Sequence, residues 1–230
     1  ERRAPQRADA ERAAGVFSRS FRAPMDAVIG FTGKDFTMIG ADQNAGRSIM
    51  IFQQDLDKIV HLDSHKLLGV AGDPADTVFE PEYFQKNVEL YRLRNGVKLS
   101  THATASYIRG EKSANLRKAM TQVDMLIGGY DEGEGPSLYF IDYLASMQKI
   151  DKGGHGYGGM FTNSLLDAHW KPDMTETEAV ALMDMCIKEL HTRFMISMPN
   201  WIIKVVDKDG IRVLRGQGQP ATQGAPTGTQ

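Results

Sequence analysis

The alternation of apolar and polar positions in the first third of the chain predicts a β-hairpin. A polar turn at 34–35 separates two groups of β-favouring side chains: Val28, Ile29 and Phe31 before it, and Phe36, Met38 and Ile39 after it. Small or polar residues stand between several of them, as expected for strands with one buried face. We therefore expect the segment 25–58 to open the folded part of the chain.

The same pattern continues through the chain and predicts strands and helices in alternating blocks. The further predicted strands are residues 58–62, 67–71, 123–129, 138–143, 147–150, 201–206 and 211–214. The predicted helices are residues 73–95, 100–120, a segment from the glycine cluster at 153–159 to about 170, and 175–195. The glycine cluster is expected to interrupt the sheet before its helix begins.

Capping residues support three of these helix starts. Asp73 followed by Pro74 has the pattern of an N-cap and a first helical residue. Ser100 is a second candidate N-cap, and Thr175 with Glu178 three positions later forms a capping box. The resulting order is strands, two helices, strands, two helices, strands. It predicts an α+β fold, a four-layer αββα sandwich in which helix pairs flank two packed antiparallel sheets.

Composition bounds the domain organisation. The chain has 230 residues, of which 41% are hydrophobic, and this suffices for one domain over residues 25–214. Residues 1–24 are rich in Arg and Ala and predict a flexible N-terminal extension, with Met25 as the start of the domain. Residues 215–230, rich in Gly, Pro, Gln and Thr, predict a flexible C-terminal tail.

Charge and cysteine content exclude several classes of protein. A net charge of −2 gives no electrostatic reason to expect nucleic acid or an acidic membrane as partner. No apolar run approaches the roughly 20 residues that span a bilayer. The single cysteine, Cys186, cannot form an internal disulfide, which suits the cytosol or nucleus.

Four strings carry a resemblance to a known family. In chain order they are IGFTGKDFTMIGAD, FQKNVELYRLRNG, LIGGYDEGEGPSLYFIDYLA and GHGYGG. Asp26, Asp42 and Lys58 accompany them at equal intervals of 16 residues. The combination resembles the β-type subunits of the 20S proteasome core, in the N-terminal-nucleophile hydrolase superfamily. The resemblance covers about residues 25–214, implies the N-terminal-nucleophile hydrolase fold, and is strongest to a non-catalytic subunit at the fourth position of the β ring.

The resemblance assigns a role to several polar residues. Active members use a threonine at the mature N-terminus as nucleophile and its α-amino group as general base. That position holds Asp26 here. Asp42 and Lys58 match the ion pair that lowers the proton affinity of the nucleophile. Gly72 matches the glycine whose N–H stabilises the oxyanion, and Ser197 matches a supporting serine.

Two supporting groups of the family are replaced. His155 stands where active members have a serine in the glycine cluster, and Phe194 stands where they have an aspartate after an arginine. The resemblance therefore implies a chain without peptidase activity, and with no cofactor or metal. We call the following positions the vestigial site: Asp26, Asp42, Lys58, Gly72, His155, Phe194 and Ser197.

Simpler interpretations exist for the same residues. Asp42 and Lys58 form a structural ion pair if both are buried, because removing one partner would leave the other unpaired. His155 has no second metal ligand at a suitable spacing. Cys186 lies on the apolar side of a predicted helix and is expected to be inert. The acidic turn at 131–134 does not follow the calcium-binding EF-hand pattern.

Function classes follow from these observations. The resemblance implies a structural subunit that supports ring assembly and active neighbours in ubiquitin/proteasome-dependent protein degradation, in the cytoplasm and nucleus. Its partners would be the other β-subunits of a seven-membered ring, including a chymotrypsin-like neighbour, with the opposite β ring and the α ring. An active N-terminal-nucleophile-type hydrolase with an unrecognised nucleophile is the alternative, and Asp26 argues against it. A free-standing binding protein is a third class.

A possible small-molecule pocket concerns four further positions. In the family, the next subunit around the ring completes the cleft of each β-subunit. The positions that line the substrate pocket fall here on Ala45, Val60, Val70 and Pro74, which are all small or apolar. Either the groove stays concave at the β–β interface and takes an apolar ligand, or side chains of the neighbour fill it.

Overall fold

This computed structural model describes residues 25–47 and 50–216 of the chain. These residues contain twelve strands and four helices, joined by turns and loops. The strands are β1 (Ala27–Thr32), β2 (Phe36–Asp42), β3 (Ala45–Arg47), β4 (Met50–Gln53), β5 (Ile59–Asp63), β6 (Lys66–Gly72), β7 (Val123–Asp131), β8 (Gly135–Ile141), β9 (Met147–Ile150), β10 (Lys152–His155), β11 (Trp201–Asp207) and β12 (Gly210–Arg215). The helices are α1 (Asp76–Asn95), α2 (Thr101–Asn115), α3 (Gly156–His169) and α4 (Glu176–Arg193). The extension predicted at 1–24 and the tail from 217 onward lie outside the described residues.

Two five-stranded antiparallel sheets form the centre of the molecule. The first has the order β10-β1-β2-β11-β12 and the second the order β5-β6-β7-β8-β9. Within the first sheet, Val28 of β1 lies opposite Ala41 of β2 and opposite His155 of β10. The end of β2 places Asp42 opposite Trp201 of β11. The register of β1 and β2 therefore brings Asp26, Asp42 and His155 to the same end of this sheet.

Apolar side chains separate the structure into four layers. One buried cluster lies between the sheets and includes Ile39, Leu67 and Leu126. A second packs the first sheet against α3 and α4, and a third packs the second sheet against α1 and α2. This arrangement confirms the predicted α+β, four-layer αββα sandwich. None of the helices in residues 25–47 and 50–216 is both long enough and apolar enough to cross a membrane.

Local sequence signals explain where two of the helices begin. Thr175 and Glu178 form the predicted capping box at the start of α4, each side chain bonding the backbone of the other. The Ser100 hydroxyl accepts a hydrogen bond from the Ala103 N–H and caps α2. Both predictions are confirmed.

The predicted cap of the first helix is wrong. Helix α1 begins at Asp76, and the residue before it, Ala75, makes no side-chain cap. Asp73 instead bonds the Ala75 N–H within a separate turn, which also contains Pro74. An aspartate can close such a local turn as readily as it caps a helix, so the sequence pattern placed the start two residues early.

The structure corrects two further expectations and contains one hairpin that was not predicted. The first part of the glycine cluster does not interrupt the sheet: Gly153 and Gly154 belong to β10 and pair with β1. The β3–β4 hairpin was not predicted, because Ala45 and Gly46 do not have a strand pattern. Arg215 is not the first residue of a tail; it ends β12, is buried, and bonds Asp184 at 2.7 Å.

Candidate functional site

Lys58 lies at the centre of a buried charge cluster that joins the two sheets. Its Nζ is 2.5 Å from Oδ1 of Asp26 and 2.9 and 3.0 Å from the two carboxylate oxygens of Asp42. Asp26 directly precedes β1 and Asp42 ends β2, both in the first sheet, whereas Lys58 directly precedes β5 of the second. The predicted ion pair of Asp42 and Lys58 is therefore present, and Asp26 extends it to three charges.

Asp42 is the fixed member of the cluster. Its side chain is fully buried and accepts hydrogen bonds from the Ala27 N–H at 2.8 Å and from the Asn44 N–H at 3.0 Å. With Lys58, these donors satisfy both carboxylate oxygens and offset the cost of burying the charge. The bond from the Asn44 N–H to the Asp42 side chain closes an Asx turn. Such a turn is local in sequence, so it is the signal by which Asn44 could have been identified as part of the site.

The protonation state of Lys58 is set by competition between burial and its neighbours. Burial disfavours the ammonium, but the carboxylates of Asp42 and Asp26 outweigh it and hold the pKa of Lys58 above its ordinary value. Lys58 is therefore a cation at neutral pH. It serves here as a permanent charge and not as a base.

Asp26 lies directly before β1, and each oxygen of its carboxylate accepts a hydrogen bond from a different donor. One carboxylate oxygen accepts from Lys58, and the other accepts the Gly72 N–H at 2.9 Å. Its carbonyl oxygen accepts the Tyr157 N–H at 3.1 Å. The Asp26 side chain carries neither a hydroxyl nor a thiol. The arrangement provides an ion pair and backbone anchors for the start of β1.

Close backbone packing at Gly72 leaves no room for a residue with a Cβ atom. A Cβ built there would come within 2.1 Å of the Gln122 carbonyl oxygen, which belongs to backbone. The segment that contains Gln122 cannot move away easily, because Gly72 pairs with Val123 where β6 ends and β7 begins. The N–H that points to Asp26 is therefore fixed by close backbone packing.

His155 is a buried structural residue. Its Nε2–H donates to the Met125 carbonyl at 2.9 Å, and its ring stacks on Phe140 with centroids 4.0 Å apart. Burial lowers its pKa to about 4, so the ring is neutral at physiological pH. The nearest carboxylate, Asp124, is 3.9 Å from Nδ1. Residues 25–47 and 50–216 contain no group of three or more His, Cys, Asp or Glu side chains that could hold a metal ion.

Phe194 and Ser197 lie beside the cluster without a charged contact to it. The Phe194 ring follows α4 and packs against the rings of Tyr157 and Phe161, at 4.7 and 5.7 Å between centroids. Ser197 is exposed, and its carbonyl oxygen accepts a hydrogen bond from Nδ2 of Asn44 at 2.8 Å. Asn44, a residue that the sequence argument missed, therefore links Ser197 to Asp42.

The four predicted pocket positions are distributed over three elements and a turn. Val60 is half-buried on β5, opposite Leu68 of β6, so it shares a face of the second sheet with Val70 two residues further along. Val70 is 2% exposed and belongs to the cluster beneath α1 and α2. Ala45 is half-buried on β3, and Pro74 is exposed in the turn before α1.

A cleft that the sequence did not predict lies between α1 and α2. Phe79 and Tyr83 line its α1 side, and Met120 lies beyond the end of α2. At its base Lys112 and Thr121 bond the carboxylate of Glu80, so the charges there are already paired. This cleft lies apart from Asp26 and adds nothing to the chemistry of the vestigial site.

Comparison with known proteins identifies the family. A family model described as proteasome subunit matches residues 25–206. The chain is 49% identical over 188 residues to a proteasome subunit beta type-2 of Oryza sativa subsp. japonica, covering 82% of this chain and 89% of the relative. It is 48% identical over 188 residues to proteasome subunit beta type-2-B of Arabidopsis thaliana, covering 82% and 94%. It is 40% identical over 190 residues to proteasome subunit beta type-4 of Saccharomyces cerevisiae, covering 82% and 96%. This chain, with its two facing sheets and the Asp42–Lys58 pair between them, belongs to the proteasome subunit family.

Proposed function

We propose that this chain is a non-catalytic β-subunit of the 20S proteasome core particle, which supports ring assembly and the active subunits beside it. The relatives named above are β-type subunits and match this chain over almost their whole length. One observation carries the absence of catalysis. The nucleophile position holds a carboxylate, and that carboxylate already occupies both Lys58 and the Gly72 N–H.

The proposal includes the surroundings of the subunit. The chain takes the fourth position in a seven-membered β ring, beside a chymotrypsin-like subunit, and contacts the opposite β ring and the α ring. The particle acts in the cytoplasm and nucleus. The unpaired, buried Cys186 supports a reducing compartment.

Native mass measurement tests this function directly. The full chain carries an affinity tag, the assemblies that contain it are purified without denaturation, and their subunits are identified by mass spectrometry. We expect particles of several hundred kilodaltons that contain α-type and other β-type subunits in equal copy number with this chain. A tagged chain found only as a monomer or a homo-oligomer would contradict the proposal and favour a free-standing protein.

A small-molecule groove at the β–β interface is a separate part of the proposal. It is supported by the half-buried Ala45 and Val60 and the exposed Pro74, all small or apolar. Apolar ligands are screened against assembled particles that carry the parent chain, Ala45→Phe or Val60→Phe. We expect both changes to weaken a ligand that binds the parent. Val70 is unsuitable for this test, because a larger side chain there would overpack the core.

A further inference from the structure

Two hydrogen-bond donors converge on one carboxylate group, and that group belongs to the chain itself. The Lys58 ammonium is 2.5 Å from Oδ1 of Asp26, and the Gly72 N–H is 2.9 Å from Oδ2. Each carboxylate oxygen therefore has its own donor, one charged and one from the backbone. A pair of convergent donors of this kind is the geometry of an oxyanion-binding site.

We propose that these donors form a carboxylate-binding site that Asp26 fills as an internal ligand, and that the site takes a small monocarboxylate from solution when the Asp26 side chain is shortened. The inference rests on the proposed function, because it states what the Lys58 ammonium and the Gly72 N–H bind in a subunit without a catalytic nucleophile. It adds that the site is closed to external carboxylates while Asp26 is in place.

Unsatisfied donors explain why such a site would attract an anion. Lys58 has three N–H groups, and its nearest acceptors are the two oxygens of Asp42 and one oxygen of Asp26. Without the Asp26 carboxylate, one ammonium hydrogen and the Gly72 N–H lose their partners. Lys58 is 5% exposed and Gly72 is half-buried, so neither donor is fully hydrated in the parent chain. Leaving buried donors unpaired is unfavourable, and a carboxylate of the right size would restore both bonds.

Access from solution is also visible in the structure. The Asp26 side chain is 18% exposed, whereas Asp42 on the other side of Lys58 is fully buried. An anion can therefore reach the position of the Asp26 carboxylate and not that of Asp42. The Asp42–Lys58 pair remains in place when Asp26 is changed, and it keeps the cluster positioned for the ligand.

Size matching gives the test its discrimination. Asp26→Gly removes a methylene and a carboxylate, which together correspond to acetate. Asp26→Ala removes only the carboxylate, which corresponds to formate. We expect acetate to raise the thermal midpoint of Asp26→Gly most, and formate to raise that of Asp26→Ala most. At about four times the dissociation constant the rise should be roughly 2–4 °C.

Controls separate site binding from general salt effects. Sodium chloride at equal ionic strength, the parent chain and Asp35→Gly provide the references, since Asp35 is exposed in the turn between β1 and β2. We expect no size-dependent rise of the thermal midpoint in the parent chain or in Asp35→Gly. We expect none in the Asp26 variants when sodium chloride replaces the carboxylate. Equal stabilisation by chloride, equal stabilisation of the parent, or the same anion preference in both Asp26 variants would overturn the proposal.

Two further arms keep the result decisive if a variant folds poorly. Asp26→Asn keeps the shape of the side chain, and its amide oxygen can still accept from Gly72, so it should show no response to formate or acetate. If Asp26→Gly and Asp26→Ala do not fold in chloride, they are refolded in each anion. Soluble folded protein only with the matched carboxylate supports the site, and failure with every anion contradicts it.

The outcome is distinguishable from failure of the proposed function. Incorporation of the parent chain into the particle, together with no carboxylate rescue, would overturn the internal-ligand inference alone. Rescue in a chain that never enters a proteasome particle would leave the carboxylate site standing and remove the proposed function.

Discussion

At the scale of single residues, Lys58 has a structural role. Its charge is shared between Asp26 and Asp42, and the three side chains hold the β1–β2 hairpin to the second sheet. Lys58 therefore acts as a tie between the two sheets. This tie is a structural reason to keep the residue.

Lys58→Ala should lower the free energy of unfolding of the full chain by about 3–5 kcal/mol, because it leaves two carboxylates unpaired in a mostly buried site. Urea denaturation measures the change. Lys208→Ala is the matched control, since Lys208 forms an exposed pair with Asp209, and such pairs contribute about 0–1 kcal/mol. Equal losses in the two variants would show that Lys58 is not a buried tie.

His155 gives the protein a defined acid sensitivity. Its pKa is about 4 in the folded chain against an ordinary value of 6.5, mainly because of burial, so the unfolded chain binds the proton more readily. Stability from the neutral ring is complete above pH 6.5 and is lost as the pH falls toward 4, by up to roughly 3 kcal/mol. The facing carboxylate of Asp124 is 3.9 Å away and has its own pKa raised by burial.

His155→Gln tests this pH dependence. The free energy of unfolding is measured at several values between pH 4 and 6.5, and the variant should show a shallower slope than the parent. His169→Gln is the matched control, because His169 is exposed at the end of α3. A slope unchanged in His155→Gln, or flattened equally in both variants, would contradict the assignment.

At the scale of secondary-structure elements, the sequence predicted most of the fold. Apolar side chains located β1, β2, β11 and β12, since each strand places residues in the core clusters on both sides of its sheet. It missed β3–β4, whose strands are short and whose Met50 and Phe52 side chains are exposed. It also missed the strand at Gly153–Gly154, because glycine contributes no side-chain pattern and only the pairing with β1 defines the strand.

Within the site, the sequence predicted which residues take part but not how they contact one another. The resemblance to the family implied the pairing of Asp42 with Lys58, and Lys58 Nζ lies 2.9 Å from Oδ2 of Asp42. It could not show that the Asp26 carboxylate turns toward Lys58 and Gly72, because side-chain direction at the start of β1 depends on the packing of the second sheet. The link from Asn44 to Ser197 joins segments distant in sequence and is likewise set by the tertiary fold.

The end of β6 offers a prediction at this scale. Gly72→Ala should lower the free energy of unfolding by more than about 2 kcal/mol, because the added Cβ meets the Gln122 backbone at 2.1 Å. Gly110→Ala is the control: nothing lies within 4 Å of its Cβ position in α2, and the change should raise stability by about 0.5–1 kcal/mol. Thermal or urea unfolding of the two variants should therefore shift in opposite directions. A shift of the same sign would contradict the backbone-packing argument.

At the scale of the whole molecule, the charge cluster around Lys58 lies at one end of the two sheets. The helices cover both outer faces of the four-layer sandwich. Phe79 on α1 and Met160 on α3 are both 72% exposed, so each outer layer presents apolar surface. Single exposed apolar side chains are common on protein surfaces, and these two are available for contact with other chains. The family of this chain implies such contacts with other proteasome subunits.

The most direct measurement is covalent labelling of the assembled particle. Particles purified through the tagged full chain are treated with an electrophilic probe that reacts with N-terminal threonine, and the intact mass of every subunit is measured. We expect active β-subunits to gain the mass of the probe while this chain, with Asp26 at the nucleophile position, keeps its mass. Probe attached at Asp26 or elsewhere in its cleft would contradict the conclusion that this is a non-catalytic subunit.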